Sequence, residues 1–217
     1  EEYGYGTNNA GWSRRARPVV LWSPDSRSIA TFQQDARGTK DMALVSTAVG
    51  HPTLHQWKYP LPGDSLIFRI ERVIIHLEPR PRMVRLQMEP DMQRSALTDH
   101  IADRAGNLLD AQWSEDGRDF FFLSSARDHT LVRLHSANAQ TGQVREVLRE
   151  ESSTFFESGY NMKANWHVLP ESNELIWFSQ RDNWGHLYLY AHDTGQLQHQ
   201  ITRGEMNVIN ILHIDQE

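Results

Sequence analysis

Two adjacent carboxylates, Glu1 and Glu2, are the groups in this sequence best suited to hold a charged ligand. Their oxygens together can accept the three donors of an ammonium group in charge-assisted hydrogen bonds. Taken alone, such a pair is more often a solvated terminus. His51 and His55 have the spacing that sets two imidazoles on one helical face for a metal, but Pro52 lies between them and no Glu follows His51. No metal is expected on that pattern, and no other cofactor. Tyr3-Gly4-Tyr5-Gly6 opens like a dinucleotide phosphate loop, yet position 9 is Asn where that fingerprint needs Gly. A flexible loop, or one at the edge of a substrate site, is the expectation there. A serine hydrolase needs a Gly-x-Ser-x-Gly elbow to strain its nucleophile into an exposed position. The sequence contains no such pentapeptide, so it supplies no catalytic residue. Zero cysteines exclude disulfides, thiol catalysis and Cys-ligated metals.

The elements that must position these groups repeat along the chain. Trp22-Ser23-Pro24-Asp25-Ser26 precedes the apolar Ile29 to Phe32, and Trp113-Ser114-Glu115-Asp116-Gly117 precedes Asp119 to Leu123. Pro170-Glu171-Ser172-Asn173 precedes Glu174 to Phe178. Each is a polar turn followed by a strand rich in β-branched and aromatic residues. Leu131 to His135 and His186 to Tyr190 then alternate apolar and polar, and Thr141-Gly142 and Thr194-Gly195 turn into a last strand. A unit of turn, strand, strand, turn, strand recurring about every 45–55 residues suits a four-stranded propeller blade. Unit counting suggests about four blades over residues 1–217. Val73 to Leu77 and Met83 to Met88 read as further strands, and Asp91 to Asp103 has room for a turn or two of helix. Trp22, Trp113 and Trp177 are expected to pack within or between blades, while Trp184, in a polar turn, is a candidate for surface contact.

Composition bounds the rest. With 217 residues, 39% hydrophobic and seven Trp, six Tyr and eight Phe, the chain can bury a core. A net charge of −6 provides no basic field and argues against nucleic acid as a partner. No run approaches the roughly 18 apolar residues of a membrane span. The chain opens on Glu rather than Met, and the expectation is a piece of a longer protein. Propellers close with about 4–8 blades, so these units either close alone or form an arc with two open sheet edges that favour pairing with another chain, a second copy included.

An ordered set of motifs resembles the N-terminal propeller of the dipeptidyl peptidase IV family of serine peptidases. The set is Glu1-Glu2, Trp22-Ser23-Pro24-Asp25, Trp57-Lys58-Tyr59-Pro60-Leu61-Pro62-Gly63-Asp64, Arg181 to Tyr188, and Ile201-Thr202-Arg203-Gly204. The resemblance implies an all-β arc of an eight-bladed propeller whose α/β-hydrolase domain is absent from this chain. It further implies that Glu1 and Glu2 bind the free amine of a peptide substrate, and that the protein is periplasmic or secreted. The 20 residues from Glu2 to Trp22 are a longer gap than the family's usual one. Either Tyr3 to Arg17 is an insertion, or the glutamates are an unrelated pair.

Three functions fit these features. The first is the gating and amine-binding part of a dipeptide-releasing exopeptidase, and the second is a stand-alone propeller that binds a protein or peptide. A propeller glycosidase ranks last, because the acids lie mostly in turns instead of facing a central channel. Fold alone does not choose among them.

Overall fold

A computed structural model describes residues 2–7, 17–92, 102, 106–160 and 163–215. Its regular elements are β-strands throughout. The first sheet draws on β1 (Tyr3–Tyr5), β2 (Leu21–Trp22), β3 (Ser28–Asp35), β6 (Arg69–His76), β7 (Arg82–Arg85) and β8 (Asp91–Met92), with β4 (Asp41–Ser46) and β5 (Thr53–Lys58) forming a separate hairpin. Register reduces these six strands to four positions. β1 and β2 lie end to end along one side of β3, through Tyr5↔Gln33 and Leu21↔Ala30. β7 and β8 divide the far side of β6 in the same way, through Val73↔Arg85 and Ile70↔Asp91. The sheet is one four-position blade with its first and last strands broken.

The second sheet is a plain antiparallel meander of β9 (Ala111–Trp113), β10 (Asp119–Ser125), β11 (Leu131–Asn138) and β12 (Val144–Glu151). After a short hairpin, β13 (Gly159–Tyr160) and β14 (Lys163–Ala164), the third sheet repeats it with β15 (His167–Leu169), β16 (Glu174–Ser179), β17 (His186–Ala191) and β18 (Leu197–Gln200). The described residues thus complete three blades, with one hairpin between β3 and β6 and the other between the second and third sheets. The segment expected to allow a helical turn begins as β8 at Asp91, and most of it lies outside the described residues.

Local chemistry explains the repeat. In the first turn Ser23 Oγ donates to Asp25 at 2.7 Å and accepts the Ser28 N–H at 2.9 Å. The second turn copies this with Ser114, Asp116 and Asp119 at 2.8 and 2.9 Å. The Arg118 backbone N–H and the Ser114 hydroxyl hold the Asp116 carboxyl down to about 2. Ser26, Gly117 and Asn173 adopt positive φ at these turns, a conformation that short polar residues and Gly tolerate best.

Alternation along the strands builds two cores. Phe120 and Phe122 point at the first blade and pack with Ala30, Ile74, Trp113 and Ala137. Phe121 and Leu123 point the other way, into a cluster with Leu134, Leu175, Trp177 and Tyr188. Each fully buried Phe contributes about 1.5–3 kcal/mol. The Trp113 indole N–H donates to the Leu21 carbonyl at 3.2 Å, tying first strands together across the junction. The two Thr-Gly turns do the same at the outer strands. Gly142 and Gly195 have φ of 76° and 66°, and a Cβ on either would collide with the carbonyl oxygen of Arg85 or Val147 in the preceding blade. Only glycine satisfies both the left-handed backbone and that close approach.

Two expectations need correction. Trp113 and Trp177 are buried, but Trp22 is 51% exposed. Leu21 pairs with Ala30 on the side facing the second blade, so Trp22, opposite Ile29, must point away from it. Tyr3-Gly4-Tyr5 is not a loop but a strand on the edge of β3.

Candidate functional site

Glu2 immediately precedes β1, and its carbonyl accepts the Ala36 N–H at 2.7 Å. That bond extends the β1–β3 ladder by one step and places Glu2 beside the turn that leaves β3. Its carboxylate Oε1 lies 3.2 Å from the Lys58 ammonium, which lies 3.3 Å from Asp41 Oδ1. Asp41 and Lys58 are cross-strand partners at the base of the β4–β5 hairpin. The Glu2 hydrogen bond, with Asp41 in support, pushes the Lys58 ammonium above its usual range. Glu1 lies outside the described residues. Of the two carboxylates singled out from the sequence, the structure therefore places one, and places it on an ammonium group.

The residues following Glu2 extend the charged surface. Tyr3 lies under the Arg37 guanidinium, 4.2 Å from ring centroid to carbon, and Arg37 grips Asp35 through two hydrogen bonds of 2.9 and 2.7 Å. Arg37 holds the Asp35 carboxyl below its ordinary range. Tyr5 accepts a hydrogen bond from Arg85 at 2.8 Å, and Arg85 also pairs with Glu71.

The long gap before Trp22 has a structural explanation. Gly6 N–H donates to the Phe32 carbonyl at 2.8 Å, Val19 N–H returns to the Gly6 carbonyl at 2.9 Å, and Thr31 Oγ1 donates to the Val19 carbonyl at 2.7 Å. The chain leaves the first-strand position at Gly6 and rejoins it at Val19, so two stretches of chain share that position. Glu2 and Trp22 keep the register they would have in an unbroken strand. Residues 8–16 lie outside the described residues.

At the same end of the strands, Arg127 in the β10–β11 turn donates to the carbonyls of Asp64 and Leu61 at 2.6 and 2.7 Å. The Pro-rich segment after β5 is thereby fastened to the second blade. In the β16–β17 turn, Arg181 reaches back to Glu150 of the second blade at 2.6 Å. Trp184 in that turn is 38% exposed, in keeping with a surface position.

The opposite ends of the strands frame a cleft of about 440 Å³ between the second and third blades, lined by Asp116, Asp119, His167, Glu171, Glu174 and Asp215 among others. Burial, with the nearby Asp116 charge, raises the Asp119 carboxyl, and burial lowers His167. Among the described residues no His, Asp and Glu side chains gather as a metal-binding group. His51 and His55 bracket the start of the extended strand β5, so they never share a helical face.

Sequence reasoning singled out Glu2 but not the groups that fix it. Lys58 lies inside the Trp57 to Asp64 motif and Asp41 just before the apolar run Met42 to Val45, and neither carries a local sign of its contact with residue 2.

Comparison with known proteins agrees with this architecture. Residues 15–217 match the family model described as the dipeptidyl peptidase IV (DPP IV) N-terminal region. Among solved structures, a putative dipeptidyl aminopeptidase IV from Bacteroides ovatus superposes with a TM-score of 0.68 at 18% identity, covering 94% of this chain and 29% of that one. Porphyromonas gingivalis dipeptidyl peptidase 4 gives 0.68 at 12% identity, covering 99% of this chain and 28% of that one. The chain thus spans less than a third of the length of either structure. It belongs to the dipeptidyl peptidase IV N-terminal region family, and it forms part of that family's β-propeller.

Proposed function

We propose that this chain is the propeller portion of a dipeptide-releasing serine exopeptidase, where it gates access and helps bind the substrate's free N-terminal amine through Glu1 and Glu2. The observation that carries the reading is Glu2 at the head of a first strand, with its carboxylate aimed at an ammonium group 3.2 Å away. A substrate amine offers the same charge and the same donors as that lysine. Holding the amine at a fixed point lets an exopeptidase count residues from the chain end, and a blocked amine has nothing to pair with there.

The reaction itself would fall to an α/β-hydrolase domain outside these 217 residues, in a protein acting in the periplasm or secreted. A homodimer is the second partner of this reading. It is supported by the β4–β5 hairpin, whose strands among the described residues pair only with each other and which exposes Leu44, Val45, Val49 and Leu54.

The test is product analysis on the protein encoded by the full reading frame. Peptides with a free amine and Pro or Ala in second place should lose successive dipeptides by mass spectrometry, and their N-acetylated forms should stay intact. The 217-residue chain alone should turn over neither. Cleavage of free and acetylated peptides alike, or turnover by the isolated chain, would refute the reading.

A further inference from the structure

We infer that Lys58 is a positioning residue: it fixes the Glu2 carboxylate for amine binding and couples that carboxylate to the β4–β5 hairpin. The inference rests on the amine-binding reading of Glu2 and adds a residue to it.

Three observations lead there. Glu2 is held through both its main chain and its carboxylate. Its backbone carbonyl is bonded to Ala36 at 2.7 Å, and its Oε1 lies 3.2 Å from Lys58 Nζ. Lys58 is itself constrained, because Asp41 Oδ1 takes the same ammonium at 3.3 Å and the two residues are cross-strand partners. The Lys58 side chain is 28% exposed, whereas that of Glu2 is 54% exposed, so the lysine is the better-enclosed member of the pair.

A half-exposed glutamate beside solvent has several rotamers within thermal reach, and holding one of them costs side-chain entropy. With Lys58 on Oε1, that ordering is complete before a ligand arrives, and Oε2 is left to accept an incoming ammonium. The three side chains carry two negative charges and one positive, so the set retains a net attraction for a cation. A surface ion pair of this kind adds little to stability. Its effect lies in where it points Glu2. The hairpin base supplies both Lys58 and Asp41, so displacement of the hairpin would move the carboxylate with it.

A double-mutant cycle in the full-length protein tests this, using kcat/KM for a free-amine dipeptidyl substrate. Labelling by an active-site phosphonate that lacks an amine serves as the control for intact folding and chemistry. Glu2→Gln should lower kcat/KM about tenfold, the size of one charge-assisted hydrogen bond. Lys58→Met should lower it by a similar factor, mostly through KM, with phosphonate labelling unchanged. The double variant should be no worse than either single one. Lys58→Arg, which keeps a cation at the same place, should restore most of the loss.

A full loss in Glu2→Gln with wild-type kinetics in Lys58→Met would overturn the role of Lys58 alone. Multiplying losses in the double variant would do the same. Wild-type kinetics in Glu2→Gln would overturn the amine site itself, and the positioning role with it.

Discussion

Glu150 shows how much one side chain holds between blades. Its carboxylate accepts the Trp177 indole N–H at 2.7 Å, the Ser179 hydroxyl and the Arg181 guanidinium, and it is 11% exposed. Glu150→Ala would leave three donors of the third blade short of an acceptor at a buried junction. A loss of about 1–3 kcal/mol is expected, as for leaving partly buried donors without their acceptor, read as a lower urea midpoint. His135 sits at the other junction, stacked on Phe122 at 5.2 Å, with its Nδ1 buried. Burial first, and the Arg72 charge second, lower its pKa to about 4. The unfolded chain takes up that proton near pH 6.5 and the folded chain only near 4. The contribution of neutral His135 is therefore complete above pH 6.5 and is lost as pH falls from there toward 4, by roughly 2–4 kcal/mol in all. His135→Phe should flatten the stability profile over that window and leave the profile above pH 7 parallel to wild type. Chemical denaturation at several pH values reads both. The loss in Glu150→Ala was hidden in the sequence, because nothing near Glu150 announces Trp177. The burial of His135 was hidden too, since the alternation of Val132 and Leu134 with Arg133 and His135 assigns it to the polar face.

At the scale of elements, what was legible is what is local. The Ser-Asp turns and the Thr-Gly turns are written in contiguous residues, and each forms where its chemistry demands. Gly195 carries the sharper consequence. Gly195→Ala adds a methyl group against the Val147 carbonyl on a backbone with φ of 66°. That should cost about 1–3 kcal/mol in strain and loosen the second and third blades, seen as faster hydrogen exchange in β12 and β17. Gly204→Ala, at φ of 113° with open space around its Cβ, carries backbone strain without such a contact and so separates the two effects. Elements that depend on distant pairing were not legible. The broken first strand exists because Tyr5 and Leu21 both find β3, an arrangement no window around either residue encodes. Trp22 was misplaced for a related reason. A two-residue strand has too little pattern to set its own face, and the pairing of Leu21 with Ala30 set it instead. The hairpin β4–β5 escaped notice because both strands are largely exposed and show no core-facing alternation.

As a whole molecule, the described residues form three blades in series, each joined to the next by a first-strand contact, an apolar core and a glycine turn. One end carries Glu2, the hairpin base and the arginine-bearing turns, and the other carries the acidic cleft. The candidate site was only partly legible for the same reason as the fold. Glu2 was visible as one of two adjacent acids, while Lys58, 56 positions away, reaches it only through the hairpin's return to the sheet. This end of the propeller is the one proposed to read a substrate's free amine. The most direct measurement is the ratio of kcat/KM for a Gly-Pro chromogenic substrate to that for its N-acetylated form, in the full-length protein and in its Glu2→Gln variant. A large ratio is expected in the wild type, falling about tenfold in the variant, the size of one charge-assisted hydrogen bond. An unchanged ratio in Glu2→Gln would contradict that proposal.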